Sequence, residues 1–514
     1  MLKLKDIYVG DTDAKNELLM MTQSEVQNFH NSFTIPPSLR IDDYINGRNF
    51  YITGLKGTGK TALLRYISLE AKRSGVTSKF VLFKSDIKEG DKENLKRSCD
   101  TIVVNEGGSI KYQDDFEKVW IIFLHKVIVN HIRDNQLDIF QNDDAWKKYS
   151  ALVIGADYGN KALGILEYFP RIKNGMLKFK FGDAPIPNID IEFEDKDKSK
   201  VKLTTLTNAI MHYFGELQPS NKKMYVLVDE LELNLGSATQ YKRDIYLIRD
   251  LVVAVEHINR AMALVKFPVK VCCAIRKEVV TAIEASGKEI AKPIEDFGIE
   301  IVWTFPVGRD EAIYHPLISL LAKKIYVSER INGNDCEFNV TEIIKKYFPT
   351  EIYSYTIAEY LLHRTWFRPR DFSRMLKLII TQFGESTSGF QQIHFEQTQK
   401  NYATASWVEV AEELSAKYDK DAIRCVEDIF TGISKVFKFD DITEMVKKKK
   451  RFNARLTDFE SDQKLAELVN DLFTIGFIGN IKPTRFRFRG DPRIDFDSEM
   501  QVHRALWPYF SISW

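Results

Sequence analysis

The chain is poor in the features that mark secreted, membrane and metal-ribbon proteins. Its 514 residues hold only five cysteines, at 99, 272, 273, 336 and 425, in odd number and with no C-x-x-C spacing. Neither a disulfide framework nor a zinc ribbon is expected from that arithmetic, and a reducing compartment is the simple expectation. The first residues, Met1-Leu2-Lys3-Leu4-Lys5-Asp6, lack the apolar stretch of a secretory signal. The most apolar run, Val119 to Ile132, is interrupted by His125, Lys126 and His131, and is too short and too polar to span a bilayer. These readings together predict a cytoplasmic protein. Charge of one sign is missing as well. Seventy-three basic residues face 72 acidic ones, so no global field argues for nucleic acid or a membrane, and only local patches can. Neither an internal repeat nor a low-complexity tract is visible.

What is present is enough chain for roughly three domains of about 150 residues. Residues 1 to 35 read as a polar helix and a connector, closed by Ile35-Pro36-Pro37-Ser38. From 36 to 310, short apolar runs alternate with helical segments, the pattern of a parallel α/β sheet. Five runs read as buried strands: Asn49 to Thr53, Lys79 to Phe83, Met224 to Val228, Val269 to Ile275 and Ile299 to Phe305. Residues 101 to 170 are expected to be mainly helical. Residues 177 to 195 alternate around Gly182, Pro185 and Pro187 and predict an inserted hairpin, followed by a solvated charge run from Lys196 to Lys202. A helical lid is expected over 311–400, and a winged-helix-like domain over 401–514.

The most specific signal is Gly54-Leu55-Lys56-Gly57-Thr58-Gly59-Lys60-Thr61, a full G-x-x-x-x-G-K-[ST] match between a strand-like run and a helical run beginning at Ala62. The bare pattern arises by accident in roughly 2% of chains this long at ordinary glycine content, and the correct flanks lower that further. Glycines let backbone N–H groups curl around phosphates, and the helix N-terminus adds partial positive charge. Lys60 is placed to reach the β/γ-phosphates and Thr61 to ligate Mg²⁺. Downstream, Tyr225-Val226-Leu227-Val228-Asp229-Glu230 is an apolar strand ending in two carboxylates. Asp229 is expected to hold the metal through water and Glu230 to polarise the attacking water, with Glu232 as a weaker alternative base. Arg276 ends the run beginning at Val269, where open α/β sheets bind ligands; Cys272 and Cys273 in that run read as core. In Trp366-Phe367-Arg368-Pro369-Arg370-Asp371-Phe372, Pro369 presets a turn and Asp371 is expected to cap the next helix, fixing Arg370 where it reaches back to the nucleotide. No N-K-x-D guanine-reading motif stands at a strand end, which favours ATP.

These motifs, in this order, resemble those of STAND and origin-recognition-type AAA+ ATPases. With Gly476-Phe477-Ile478-Gly479-Asn480 and Val502-His503-Arg504-Ala505-Leu506, the chain is similar to a group of bacterial P-loop ATPases suspected of roles in phage defence. The resemblance covers 36–514. It implies an ATPase that uses ATP and Mg²⁺ to drive a conformational or assembly switch, with a separate protein effector, and a base site near Ile35 to Tyr44. Arg276 departs from the Asn or Thr common at that strand end in AAA+ proteins. Only Arg243 and Arg249 offer themselves as trans-acting arginine fingers.

Two other functions stay open on sequence. Residues 435–490 carry 13 basic and 8 acidic residues, including Lys447 to Arg451 and the alternating Arg485-Phe486-Arg487-Phe488-Arg489, so a DNA-binding ATPase, a loader or recombination regulator reading duplex DNA, is the alternative. Against it, the segment 461–472 in the recognition-helix position carries Asp462, Glu467 and Asp471. A nucleotide sensor without turnover is the third reading, opposed by the complete Thr61 and Glu230. No nuclease, protease or NAD-hydrolase constellation is visible.

Overall fold

A computed structural model describes the chain except residues 13–21, 88, 91, 93–99, 107–108, 157–171, 174–175, 181–190, 197–198, 234–237, 285–289, 306–307, 335–336, 416 and 513–514. Cys99 and Cys336 lie outside the described residues. The chain forms two compact units. One, here the sheet unit, comprises residues 38–55 and 60–301; the other, the helical unit, comprises 1–37, 56–59 and 302–514.

In the sheet unit, five parallel strands stand in the order β5-β1-β4-β3-β2, with β1 at Tyr51–Gly54, β2 at Thr77–Leu82, β3 at Met224–Leu231, β4 at Val269–Arg276 and β5 at Gly298–Glu300. All five expected strands exist. The last is short: beyond Glu300 the Ile301 N–H still donates to the Thr53 carbonyl of β1 at 2.8 Å, and residues 302–305 lie outside the strand. Every residue of β4 except Arg276 is buried, as an apolar run covered on both faces requires. Cys272 and Cys273 are indeed core, and burial pushes the Cys272 thiol up to about 11. Helix α1 (Lys60–Arg73) follows β1, burying Leu63, Leu64, Ile67 and Ala71 on one face and ending with Lys72 and Arg73 against its negative C-terminal dipole.

Helix α2 (Glu117–Asp134) fits the expected helical region, as does the helix at Asp144–Gly155. The start of that region does not. Asp100–Glu106 and Ser109–Asp115 form an antiparallel hairpin, in keeping with the β-branched run Thr101-Ile102-Val103-Val104 and the Gly107-Gly108 pair between the strands. The one hairpin the sequence predicts, at 177–195, pairs differently in its described residues. Met176–Lys178 pairs with Lys200–Lys202, the end of the presumed charge run, with Leu177 opposite Val201; Val201 is the one apolar residue there, and it is buried. Phe181, Gly182, Pro185, Pro187, Ile189 and Asp190 lie outside the described residues.

Long helix α3 (Ala238–Ala263) carries Arg243 and Arg249, and both are fully buried. Arg243 pairs with Asp244 and, at 2.6 Å, with Glu89. Arg249 pairs with Asp250, which also accepts the Phe116 N–H at 2.8 Å. Guanidinium groups enclosed in their own subunit cannot serve a neighbour, so neither candidate is placed to act as a trans-acting finger.

His125, inside α2, is fully buried. Its Nδ1 shares a hydrogen bond with the Tyr149 hydroxyl at 2.7 Å, and burial lowers its pKa to about 3. A histidine kept neutral by the fold, but free to protonate when unfolded, stabilises fully above its ordinary pKa of about 6.5 and loses that contribution as pH falls toward about 3. Thermal melts should therefore drop between pH 6.5 and 4, by at most about 1.4 kcal/mol per pH unit from this group. His125→Gln should flatten that slope; an unchanged slope would remove His125 from the account.

In the helical unit, Pro316–Ile331, Val340–Tyr347, Ile357–His363, α4 (Pro369–Phe383) and α5 (Gln392–Leu414) supply the helices expected of the lid, with a two-stranded pair at Glu351–Ile352 and Tyr355–Thr356. α5 runs unbroken through residue 400, where the sequence suggests a boundary. The N-terminal segment packs here too: the Leu4 and Lys5 N–H groups donate to the Thr387 and Gly384 carbonyls, and Ser373 Oγ donates to the Val9 carbonyl. Beyond α5 come helices Lys420–Phe430, Phe439–Lys449 and Asp462–Thr474. An antiparallel sheet follows, with Ile478–Ile481 between Thr484–Arg485 and Met500–Val502. The last strand went unread in the sequence. The segment 435–439 contributes only a bridge from Phe437 to Met500. The alternating run Arg485 to Arg489 is strand only at its start, in Thr484–Arg485, and Arg487–Arg489 form a 3₁₀ turn closed by Gly490 at φ 97°. The three arginines therefore do not share one strand face. Among the described residues, no helix is long and apolar enough to cross a membrane.

Candidate phosphate and metal site

Strand register brings the chemistry of the sheet unit to one end. Gly54, last of β1, stands beside Arg276, last of β4, and β3 brings Asp229 and Glu230 to the far side of β4. Adjacent strands are about 4.8 Å apart, so phosphate loop and acid pair flank Arg276. The loop leads straight into α1, whose first N–H groups have no partner within the helix, the arrangement that binds anions. Gly57 at φ 83° and Gly59 at φ 97° take left-handed conformations that side chains resist. Lys60 Nζ donates to the Gly54 and Leu55 carbonyls at 2.7 and 2.8 Å, so its ammonium lies against the loop it would serve.

Asp229 is 4% exposed. Burial raises its pKa, opposed by the Glu230 N–H, the Thr61 hydroxyl and the Lys60 charge. Its Oδ1 accepts the Glu230 N–H at 2.8 Å, while Oδ2 is buried with no hydrogen-bond partner. A bare carboxylate oxygen beside a threonine hydroxyl fits Mg²⁺, which takes one or two protein oxygens and fills its shell with water and substrate phosphates. No cluster of three or more His, Cys, Asp or Glu occurs among the described residues, so an all-protein cage is not offered there.

Glu230 has a feature the sequence does not show. Between Val228 and Leu231, β3 advances three residues while β4 advances two, from Cys273 to Ile275. The extra residue makes a bulge, and Glu230 lies there at φ 60°. A non-glycine residue held left-handed costs about 1–2 kcal/mol, and bulges re-aim side chains beside active sites. Glu230 Oε2 accepts the Ser85 N–H at 2.9 Å.

Arg65 was also missed. Its guanidinium lies 3.7 Å over the Phe80 ring, within electrostatic reach of Asp229 and Glu230, and its buried Nε lacks a partner. The available signal was its position four residues after Thr61, on the same helix face. Arg276 is held by an ion pair with Glu232, whose other oxygen meets Lys84 Nζ at 2.8 Å. Glu232 is thus doubly neutralised, which suits it poorly as a base. Tyr44, in the stretch expected to hold the base, is fully buried and donates its hydroxyl to the Tyr51 carbonyl at 2.6 Å.

The loop tip, residues 56–59, packs within the helical unit. Thr58 is buried there and its carbonyl accepts Trp303 Nε1 at 2.9 Å. A Cβ on Gly57 would meet Arg368 Cδ at 3.2 Å and Arg370 Cβ at 3.4 Å. Pro369 opens α4 as expected, but Asp371 is not its cap. It accepts the Trp366 N–H at 3.0 Å and two bonds from Arg368, whose Nη1 also donates to the Lys56 carbonyl. Arg370 donates to the Thr12 carbonyl and to Glu409 at 3.0 Å. Glu409 of α5, unremarked in the sequence, also binds Arg374 at 2.6 Å and lies 3.7 Å from Lys56. Burial alone would raise its pKa; Arg368, Arg374, Arg370 and Lys56 outweigh burial and hold the carboxyl well below the usual range.

No protein-family model matches the chain, and no curated protein matches it in sequence.

Proposed function

We propose that this chain binds and hydrolyses ATP with Mg²⁺ and uses the cycle as a conformational or assembly switch, as its resemblance to STAND and AAA+ ATPases implies. One observation carries the reading: the partnerless Asp229 Oδ2, buried beside Thr61 and Lys60 at the loop end of the sheet. A buried acid oxygen left bare costs about 1–3 kcal/mol unless a ligand satisfies it. Mg²⁺, when bound, would neutralise charge on the triphosphate. The chain's own part follows from position. Loop N–H groups and Lys60 hold the phosphates, Thr61 and Asp229 hold the metal side, and Glu230 orients the attacking water. Arg65 and Arg276 are the sheet unit's cations near these groups, Arg276 now paired with Glu232; in the helical unit Arg370, read from sequence as reaching the nucleotide, is paired with Glu409. The main chain passes from the sheet unit to the helical unit and back inside the loop, so a change in loop shape is felt by both through covalent linkage. This suits a switch. Magnesium-dependent release of phosphate from ATP is the test, and its complete absence would overturn the reading. The C-terminal helices and three-stranded sheet suit a winged helix, and a role in antiphage defence with a separate effector follows from the resemblance.

A specific observation keeps the duplex DNA reading alive. Lys447, Lys448 and Arg451 are all exposed beside Phe452, itself 86% exposed; cations so placed suit contact with duplex phosphates. Lys449 and Lys450 are occupied, by the Thr431 carbonyl and by Glu460. Replacing Lys447, Lys448 and Arg451 with Gln should lower duplex affinity by about tenfold or more and flatten its salt dependence, read by fluorescence anisotropy. Affinity unaffected by the change would remove this face as a DNA contact.

A further inference from the structure

The helical unit carries a half-open pocket that the nucleotide reading does not use. Its volume is about 440 Å³, within the usual range of roughly 300–1,000 Å³ for small-molecule sites. Phe305, Leu362 and Phe367 supply an apolar wall, and Arg309, His363 and Arg489 a polar one. We infer that this pocket is a second ligand site, for a small anion carrying an aromatic ring.

The charges on the polar wall do not balance. Arg309 lies 3.5 Å from both Glu351 and Glu359 and is neutralised. Arg489 has no carboxylate at ion-pair distance among the described residues; its guanidinium instead lies 5.0 Å over the Phe367 ring. Arg504, behind His363, also lacks a carboxylate partner among the described residues. It sits 5.2 Å over Tyr355 and sends Nη1 to within 3.1 Å of His363 Nδ1. Guanidinium only donates, so Nδ1 accepts and the imidazole proton belongs to Nε2. Burial, with Arg504 and Arg489, keeps His363 neutral, its pKa lowered to about 4. The one acid in the lining, Glu359, is also engaged by the Thr356 N–H and hydroxyl at 2.9 and 3.1 Å.

The wall therefore offers donors and positive charge in excess of acceptors. An anion entering it meets one lining guanidinium, that of Arg489, with no carboxylate at ion-pair distance among the described residues, and Arg504 adds positive charge from behind His363. Stacking on Phe367 leaves the edge of Arg489 able to take a carboxylate or phosphate in a forked pair. Phe305, half-buried, gives an attached ring a surface to cover. Phe367 is itself held at φ 53°, a strained state for a bulky residue and one that gathers at ligand clamps. A bare inorganic anion would leave the apolar wall unfilled, which is why the ring belongs to the ligand.

Calorimetric titration of naphthyl phosphate, naphthoate and inorganic phosphate tests the site, using wild type, Lys60→Ala, Arg489→Gln and Arg489→Lys. Saturable binding of at least one naphthyl anion is expected, tighter than inorganic phosphate and undiminished in Lys60→Ala. Arg489→Gln should weaken it about 10- to 100-fold, the worth of a charge-assisted pair, with Arg489→Lys in between. Which head group binds better identifies the ligand as carboxylate or phosphate. Loss of binding in Lys60→Ala would assign the anion to the phosphate loop and overturn the inference. So would equal affinity in wild type and Arg489→Gln, or no binding at all. Circular dichroism confirms that each variant is folded. The site makes no use of Lys60, so it stands or falls separately from the ATPase reading.

Discussion

Lys60→Ala should lower ATP affinity by at least about 100-fold while leaving the fold intact. The expected loss comes from charge-assisted hydrogen bonds to phosphate, each worth about 1.5–3 kcal/mol. In the structure the ammonium is spent on the Gly54 and Leu55 carbonyls, two bonds that hold the loop's own shape. Their loss is a modest cost, because the loop residues flanking it belong to β1 and α1, which are held by strand pairing and a buried helix face. Binding of a fluorescent ATP analogue, with a thermal melt as control, separates the two effects. Unchanged affinity in a folded Lys60→Ala protein would take the phosphates away from this loop.

Glu230→Gln should do the opposite: keep ATP binding and cut turnover by about 100- to 10,000-fold, the usual worth of a general base. Gln has the same shape, so the bulge and the left-handed backbone at residue 230 should persist, and the amide oxygen can still accept the Ser85 N–H. What disappears is the ability to polarise water. Glu230→Gly gives a second test, since glycine accepts φ 60° without strain. It should melt no lower than wild type by more than the lost side-chain contacts require, yet be as slow as Glu230→Gln. If both variants turn over at the wild-type rate, the base lies elsewhere.

The parallel sheet was legible because its strands are continuous apolar runs, and the loop because its glycines and Lys60 stand at fixed spacing. The acid pair was legible as residues but not as geometry. A bulge depends on the register of β3 against β4, which no local pattern in Val228-Asp229-Glu230-Leu231 encodes. Pairing partners were opaque for the same reason: Met176–Lys178 found Lys200–Lys202, a segment whose lysines disguise one inward valine. Arg243 and Arg249 look like surface cations in sequence, and only the tertiary arrangement of Glu89, Asp244 and Asp250 explains how they are buried. Glu409 likewise lies more than thirty residues from the arginines it gathers. Its role is visible only once α4 and α5 are packed together.

The central claim is that a triphosphate and its metal bind where Lys60, Thr61 and Asp229 converge. Calorimetric titration of ATP into the wild-type chain, with Mg²⁺ and again with the metal chelated, tests it most directly, with Asp229→Asn alongside. The account predicts saturable binding that weakens about tenfold or more when Mg²⁺ is removed, and an Asp229→Asn protein that no longer responds to the metal. Binding indifferent to Mg²⁺ in both proteins, or none under any condition, would contradict it.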